Sequence, residues 1–155
     1  MSIDPGYERL GIAIVEKEKN AKEKLIFSEC FKTSPKEEHG KRLLNIGVRL
    51  KEIIKEHVPN ALSIESLFFN TNQKTALLVA EARGVILATA TEADLKICEY
   101  TPPQIKLATT GYGKSDKEQI IKMLPMLIKI EKEIKYDDEY DAIAVGITFF
   151  AYNKV

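Results

Sequence analysis

The apolar residues of this chain fall into short β-rich runs, and the connections between those runs are of two kinds. Gly11 to Val15 and Leu25 to Thr33 are separated only by the charged turn EKEKNAKEK, so they are expected to pair as antiparallel neighbours. Ala61 to Ile64 and Lys96 to Tyr100 are instead each preceded by a helical segment. Residues 38–57 put Leu43, Ile46, Leu50, Ile53 and Ile54 at helical spacing before Pro59 and Asn60 stop the helix. Residues 73–92, including TALLVAEARGVILATA, form a second predicted helix, small and apolar over much of its surface. Pro102-Pro103 then opens two shorter helices, around 102–109 and 115–130, divided by TGYGKSD, and a last helix starts near DDEYD and runs through AIAVGITFFAY. Paired strands followed by strands alternating with helices describe an α/β fold: a mixed sheet with helices on both faces.

A length of 155 residues is enough for one core and too little for two ordinary domains, so 1–155 is read as a single domain. Lys and Arg total 23, as do Asp and Glu, and the formal net charge is zero, so any nucleic-acid contact has to come from a local basic patch. No stretch stays apolar and uncharged for the ~18 residues a bilayer span requires, and no basic segment followed by an apolar one opens the chain, so a soluble, cytoplasmic protein is expected. Cys30 and Cys98 each fall in a predicted strand without a second Cys or a His at metal-ligand spacing, which makes them reduced core thiols without a chemical role.

Four carboxylates carry the chemical signal. Asp4 precedes Pro5-Gly6 at the end of a short first strand, and Glu65 ends another strand in SIESLFFN. In open α/β sheets, ligands collect in the crevice beyond such strand ends. Asp138 and Asp141 are three apart at the start of the last helix and share one face. Each acid has an ordinary explanation by itself. Asp-Pro-Gly is favourable turn chemistry, Glu65 can be a solvated strand-end charge, and acids in a first helical turn complement the macrodipole, the one role expected of Asp137 and Glu139. Taken together, two strand ends and one helix N-terminus can converge on a single crevice, where clustered carboxylates repel unless cations neutralise them. Hard divalent ions such as Mg²⁺ prefer oxygen ligands, and two of them ~3.5–4 Å apart can activate a water and stabilise the leaving oxygen at a phosphodiester. His39 and His57, on the surface of a predicted helix, offer no alternative metal site.

The blocks IDPGYERLGIAIV, SIESLFFN, EARGV, PPQIKLATTGYGKSDKEQI and DEYDAIAVGIT, in this order and spacing, resemble the RuvC family of Holliday-junction resolvases across nearly the whole chain. The resemblance implies a ribonuclease H-like, mixed five-stranded sheet and an endonuclease that resolves four-way DNA junctions in recombination and repair. It also implies that Asp4, Glu65, Asp138 and Asp141 are the catalytic, metal-binding set for two Mg²⁺ ions, for which Mn²⁺ can substitute. Asp138 stands where members carry Asp or His. Lys106 and Lys117 match basic residues near the scissile phosphate or the DNA backbone. With Lys114 and Lys122 they outnumber Asp116 and Glu118 and supply the local basic patch, so affinity should fall with salt. Phe68 and Phe69 are implied to contact an unstacked base at the junction centre. A homodimer, presenting the same site twice to two equivalent strands, is implied as well, together with the branch-migration proteins RuvA and RuvB as partners. Gly84 and the alanines of VAEARGVILATA would allow close approach at a dimer interface or against the chain's own sheet.

The start Met1-Ser2-Ile3 leaves fewer apolar residues before DPG than the family usually has, so either the chain starts further upstream or the first strand is short and Asp4 is held less firmly. The alternative function is therefore a non-catalytic junction binder with an impaired metal site. DPGYERLG also resembles the phosphate-binding turn of actin-like ATPases and sugar kinases, whose nucleotide lies between two duplicated domains; this chain has length for one.

Overall fold

The computed structural model describes residues 1–19, 21–66 and 73–153. Its elements are β1 Ser2–Asp4, β2 Arg9–Glu16, β3 Lys24–Lys32, α1 His39–His57, β4 Ala61–Glu65, α2 Gln73–Glu92, β5 Lys96–Tyr100, α3 Pro102–Thr110, α4 Lys117–Leu127 and α5 Asp137–Tyr152. The strands form one sheet in the order β3-β2-β1-β4-β5, with β1-β2 and β2-β3 antiparallel and β1-β4 and β4-β5 parallel. The charged turn and the helical crossovers thus give the two kinds of pairing expected from their lengths.

Period-two alternation sorts the two faces of the sheet. Ile12, Ile3 and Ile64 are cross-strand partners in one row, all fully buried, and they pack with Ile46, Leu50 and Ile53 of α1 and Ala82 and Ile86 of α2. Burying one such side chain contributes about 1.5–3 kcal/mol, which is how a three-residue strand holds the centre of the sheet. The next row faces the other way and is small: Ala13, Ser2 and Ser63. Against it lies α5, close enough that the Ser63 hydroxyl donates to the Val145 carbonyl at 3.4 Å. The approach leaves no room for added side-chain atoms. A Cβ on Gly146 would stand 2.8 Å from both Ser2 Oγ and Val15 Cγ2, and one on Gly11 would stand 2.0 Å from the Asp138 carbonyl oxygen. Gly11 is also the strand partner of Asp4. The small-residue seam therefore sets the first turn of α5 directly over the end of β1.

α3 and α4 complete the α5 side, contributing Ile105, Ile120 and Leu124 to the second core cluster. Both start in capping boxes, Thr101 with Gln104 and Asp116 with Gln119, so their first turns are fixed. The helix expected over 115–130 ends earlier, at Leu127. Pro125 lies in its last turn, Ile128 turns extended, and Lys129 exchanges backbone hydrogen bonds with Glu23 and Leu25 beside β3.

Candidate active site

β1 and β4 run parallel, so Asp4 and Glu65 finish at the same edge of the sheet, one strand spacing apart. The first turn of α5 brings Asp141 over them. All three carboxylates line one crevice of about 250 Å³ with Lys106, Lys117, Pro102, Ile105, Ile120, Ala144 and Val145. A larger cavity, about 530 Å³, opens at the opposite end of the sheet between Met1, Ile14 and the rings of Phe149 and Phe150. Size alone therefore does not identify the site; the acids do.

Burial and mutual repulsion raise the proton affinity of the group. Asp4 is pushed up to about 7, first by burial and then by Asp141, Glu65 and Asp138, with Lys117 opposing. Burial and Asp141 also raise Glu65, which Lys106 lowers. Burial raises Asp141, while Lys117 holds it down. The Lys117 ammonium donates to Asp141 Oδ2 at 2.9 Å and lies 3.5 Å from Asp137 Oδ2. Asp138 turns to the other side, where its Oδ2 accepts from the Arg9 guanidinium and lies 3.5 Å from Cys30 Sγ.

Electrostatically the set fits a divalent cation with hard oxygen ligands: several carboxylates share a partly desolvated crevice, and burial, then repulsion by its neighbours, pushes Asp4 up to about 7. Among the described residues, no three ligating side chains are closed around one point. Like charges hold apart, and Lys117 and Arg9 draw Asp141 and Asp138 in opposite directions.

The profile of the family described as "Crossover junction endodeoxyribonuclease RuvC" matches residues 1–149. The chain is 45% identical over 147 residues to the crossover junction endodeoxyribonuclease RuvC of Alkaliphilus metalliredigens, covering 95% of this chain and 89% of that one. To the protein of that name from Thermosipho melanesiensis it is 45% identical over 146 residues, 94% of this chain and 92% of the other. This chain belongs to the RuvC family. A solved structure of T. thermophilus RuvC in complex with Holliday junction substrate superposes with a TM-score of 0.89 at 32% identity, covering 97% of this chain and 92% of that one. The ribonuclease H-like sheet expected from the sequence is the fold observed.

RuvC-family nucleases are metal-dependent, and of the residues expected to serve that chemistry, Asp4, Glu65 and Asp141 share the crevice with Lys106 and Lys117. Asp138 is at its rim, near enough to raise Asp4 and Asp141. Lys114 is exposed in the turn between α3 and α4, outside the crevice lining, and Lys122 faces Glu118 at 3.8 Å. Phe68 and Phe69 lie outside the described residues. The strand just before them is tied down: Ser66 donates from its backbone to the Tyr100 carbonyl at 2.9 Å, and Arg83 reaches the Glu65 carbonyl at 3.4 Å.

Three expectations need correction. Glu139 serves more than the helix dipole. It is buried and accepts from Ser28 Oγ at 2.6 Å, Lys132 Nζ at 2.7 Å and the Lys135 backbone at 3.3 Å, anchoring α5 to β3. Cys30 is half-exposed against Asp138 rather than sealed in the core. His57 packs on Phe27, with ring centroids 5.2 Å apart, and buries Nε2, which has no hydrogen-bond partner among the described residues. Arg9 went unnoticed in the sequence; the available signal was the short β1-β2 turn, which places the start of β2 beside the end of β1.

Proposed function

We propose that this chain is a Holliday-junction resolvase, a single nuclease domain over residues 1–155 that hydrolyses phosphodiester bonds at four-way DNA junctions in recombination and repair. The observation that carries the reading is the gathering of Asp4, Glu65 and Asp141 in one crevice flanked by Lys106 and Lys117. Asp4, Glu65, Asp138 and Asp141 are the residues that would hold two Mg²⁺ ions, with Mn²⁺ as a substitute. Bound there, the ions supply an activated water and stabilisation of the leaving oxygen. The protein's own part is positional and electrostatic. Burial keeps bulk water from screening the carboxylates, Lys117 and Lys106 offset the negative charge that grows at the phosphate, and Asp141, once released from Lys117, is free to turn inward.

A junction has two equivalent strands to cut, so the active species is a two-fold homodimer. Ala82 and Ala90 of α2 face the chain's own core, whereas Leu77, Gly84 and Ala88 face outward and form the proposed contact. Phe68 and Phe69 are assigned to the opened base, Lys114 to the DNA backbone, and RuvA and RuvB are the expected partners. A cytoplasmic site of action belongs to the same reading; among the described residues no helix is long and apolar enough to cross a membrane. The relatives are named as endonucleases, which disfavours the junction binder without activity.

A synthetic four-way junction tests the proposal. With Mg²⁺ the protein should nick two opposed strands, and Asp141→Asn should bind the junction without nicking. Junction binding by the unmodified chain with no cleavage in either Mg²⁺ or Mn²⁺ would refute it.

A further inference from the structure

Lys106 and Lys117 stand on the α3-α4 side of the crevice, whereas the opposite side is made by β2 and β3. There Arg9 opens β2, and its register partner Lys32 closes β3, both at the edge of the sheet where Asp4 and Glu65 end. Between them rises Tyr136, the residue before α5, 40% exposed. The Lys32 ammonium sits 3.8 Å from the centre of its ring and the Arg9 guanidinium 5.5 Å. Lys32 is exposed, and among the described residues it faces no carboxylate; the aromatic face is its one partner. Arg9 is about half exposed and pairs with Asp138. Lys32, held on an aromatic face, keeps a defined direction without having its charge cancelled.

We propose that Arg9, Lys32 and Tyr136 form a second DNA contact, gripping the backbone of the cut strand on the side of the scissile phosphate away from Lys106 and Lys117. The inference rests on the junction-cleaving reading given above. From β2 to β5 is three strand spacings, ~14 Å. At 3.4 Å of axial rise per phosphate that span covers about four phosphates of one strand. One phosphate over the carboxylates therefore leaves neighbours on both flanks, and each flank meets cations. Arg9 has a further part: while paired with Asp138 it holds that carboxylate at the rim, and moving to a phosphate frees Asp138 to turn toward Asp4. The tyrosine ring offers a flat apolar surface beside the cations, suited to a sugar or base edge. Asp138, paired with Arg9, and Glu8, next to Arg9 in the chain, are the acids that limit the patch to a local grip.

The test is the salt dependence of binding to a labelled four-way junction, measured by anisotropy with the full chain, beside a nicking assay. Each phosphate contact removed should flatten the slope of log K against log salt by about 0.7–0.9, equivalent to about 5- to 8-fold weaker binding at 0.1 M salt. Lys32→Gln and Arg9→Gln should each show that loss, and Arg9→Lys should restore the slope. Lys96→Gln, at the opposite end of β5, should leave it unchanged and so controls for net charge. Thermal melts of Lys32→Gln should match the wild type, because the side chain is exposed. Wild-type nicking with an unchanged slope in both Lys32→Gln and Arg9→Gln would overturn this contact and leave the nuclease reading intact. An equal loss in Lys96→Gln would overturn it too. A wild-type chain that neither binds nor nicks the junction would end both.

Discussion

Asp4 should be a burden on the metal-free fold, and replacing it by asparagine should stabilise the protein while abolishing its chemistry. Its proton affinity rises from the ordinary 3.8 to about 7, chiefly by burial and then by Asp141, Glu65 and Asp138. At 1.36 kcal/mol per tenfold change, ionising Asp4 in the folded state costs about 4 kcal/mol more than in the unfolded chain. The sign follows from linkage. Above pH 7 Asp4 is ionised in both states and the whole cost falls on the folded one; as pH drops from about 7 toward 3.8 the folded state takes up a proton first and the cost disappears. Glu65 and Asp141 are shifted in the same direction. Allowing for an asparagine amide that must itself find partners, Asp4→Asn should gain about 2 kcal/mol at pH 8, or about 4–8 °C in melting temperature for a chain of this size. Near pH 4 the two proteins should melt alike. Mg²⁺ should reverse the order, because an ion at 100 times its dissociation constant adds about 2.7 kcal/mol to a protein that binds it. Urea or thermal unfolding in EDTA and in Mg²⁺, at pH 8 and pH 4, reads all four corners. If Asp4→Asn in EDTA at pH 8 is no more stable than the wild type, burial and repulsion do not penalise the ionised Asp4 as argued.

Gly11→Ala, whose Cβ would meet the Asp138 carbonyl oxygen at 2.0 Å, should cost at least about 1–3 kcal/mol in urea unfolding and reduce nicking by displacing the start of α5. Lys117→Gln should lower the nicking rate by about 10²-fold. It should also move the acid limb of the pH–rate profile upward, since Lys117 holds both Asp4 and Asp141 down. Glu139→Gln should lose about 1–3 kcal/mol of stability, because it removes the charge opposite Lys132 and turns one of the two acceptor oxygens, which serve Ser28, Lys132 and the Lys135 backbone, into an amide donor. Its partners hold the Glu139 carboxyl below the ordinary 4.5, so that stability is present above this value and lost in acid, and the effect of the substitution should shrink there.

Strand and helix positions were legible because the two periods, 2 and 3.6, are cleanly separated along this chain. The run Lys96 to Tyr100 and the helix at 73–92 match β5 and α2 residue for residue. Failures occurred where a tertiary partner outweighed local pattern. Pro125 and the backbone of Glu23 and Leu25 took the end of a predicted helix and made it extended. The acid cluster at the start of α5 looked uniform in sequence, yet its four members have three different surroundings. Asp137 and Asp141 face Lys117, Asp138 faces Arg9, and Glu139 faces inward to Ser28 and Lys132. Helical spacing gives the direction each points, but which cation each meets depends on residues from 7 to 129 positions away in the chain.

The short first strand shows why local length is a poor guide to how firmly a side chain proposed for catalysis is held. Asp4 gains little from β1 itself, which has three residues. Its position comes from neighbours on three sides: the fully buried row of Ile12, Ile3 and Ile64, the backbone partner Gly11, and α5 lying against Ser2, Ala13 and Ser63. A bulkier residue at any of these small sites would lift α5, and Asp138 and Asp141 would move with it as a rigid first turn. Distances among the acids are thus set by the helix-sheet contact more than by the strand ends. It follows that Gly146→Ala, about one and a half turns from Asp141 and outside the crevice lining, should weaken metal-dependent melting protection as Gly11→Ala does. A Gly146→Ala protein that folds with unaltered Mg²⁺ stabilisation would show that the acids are positioned locally after all.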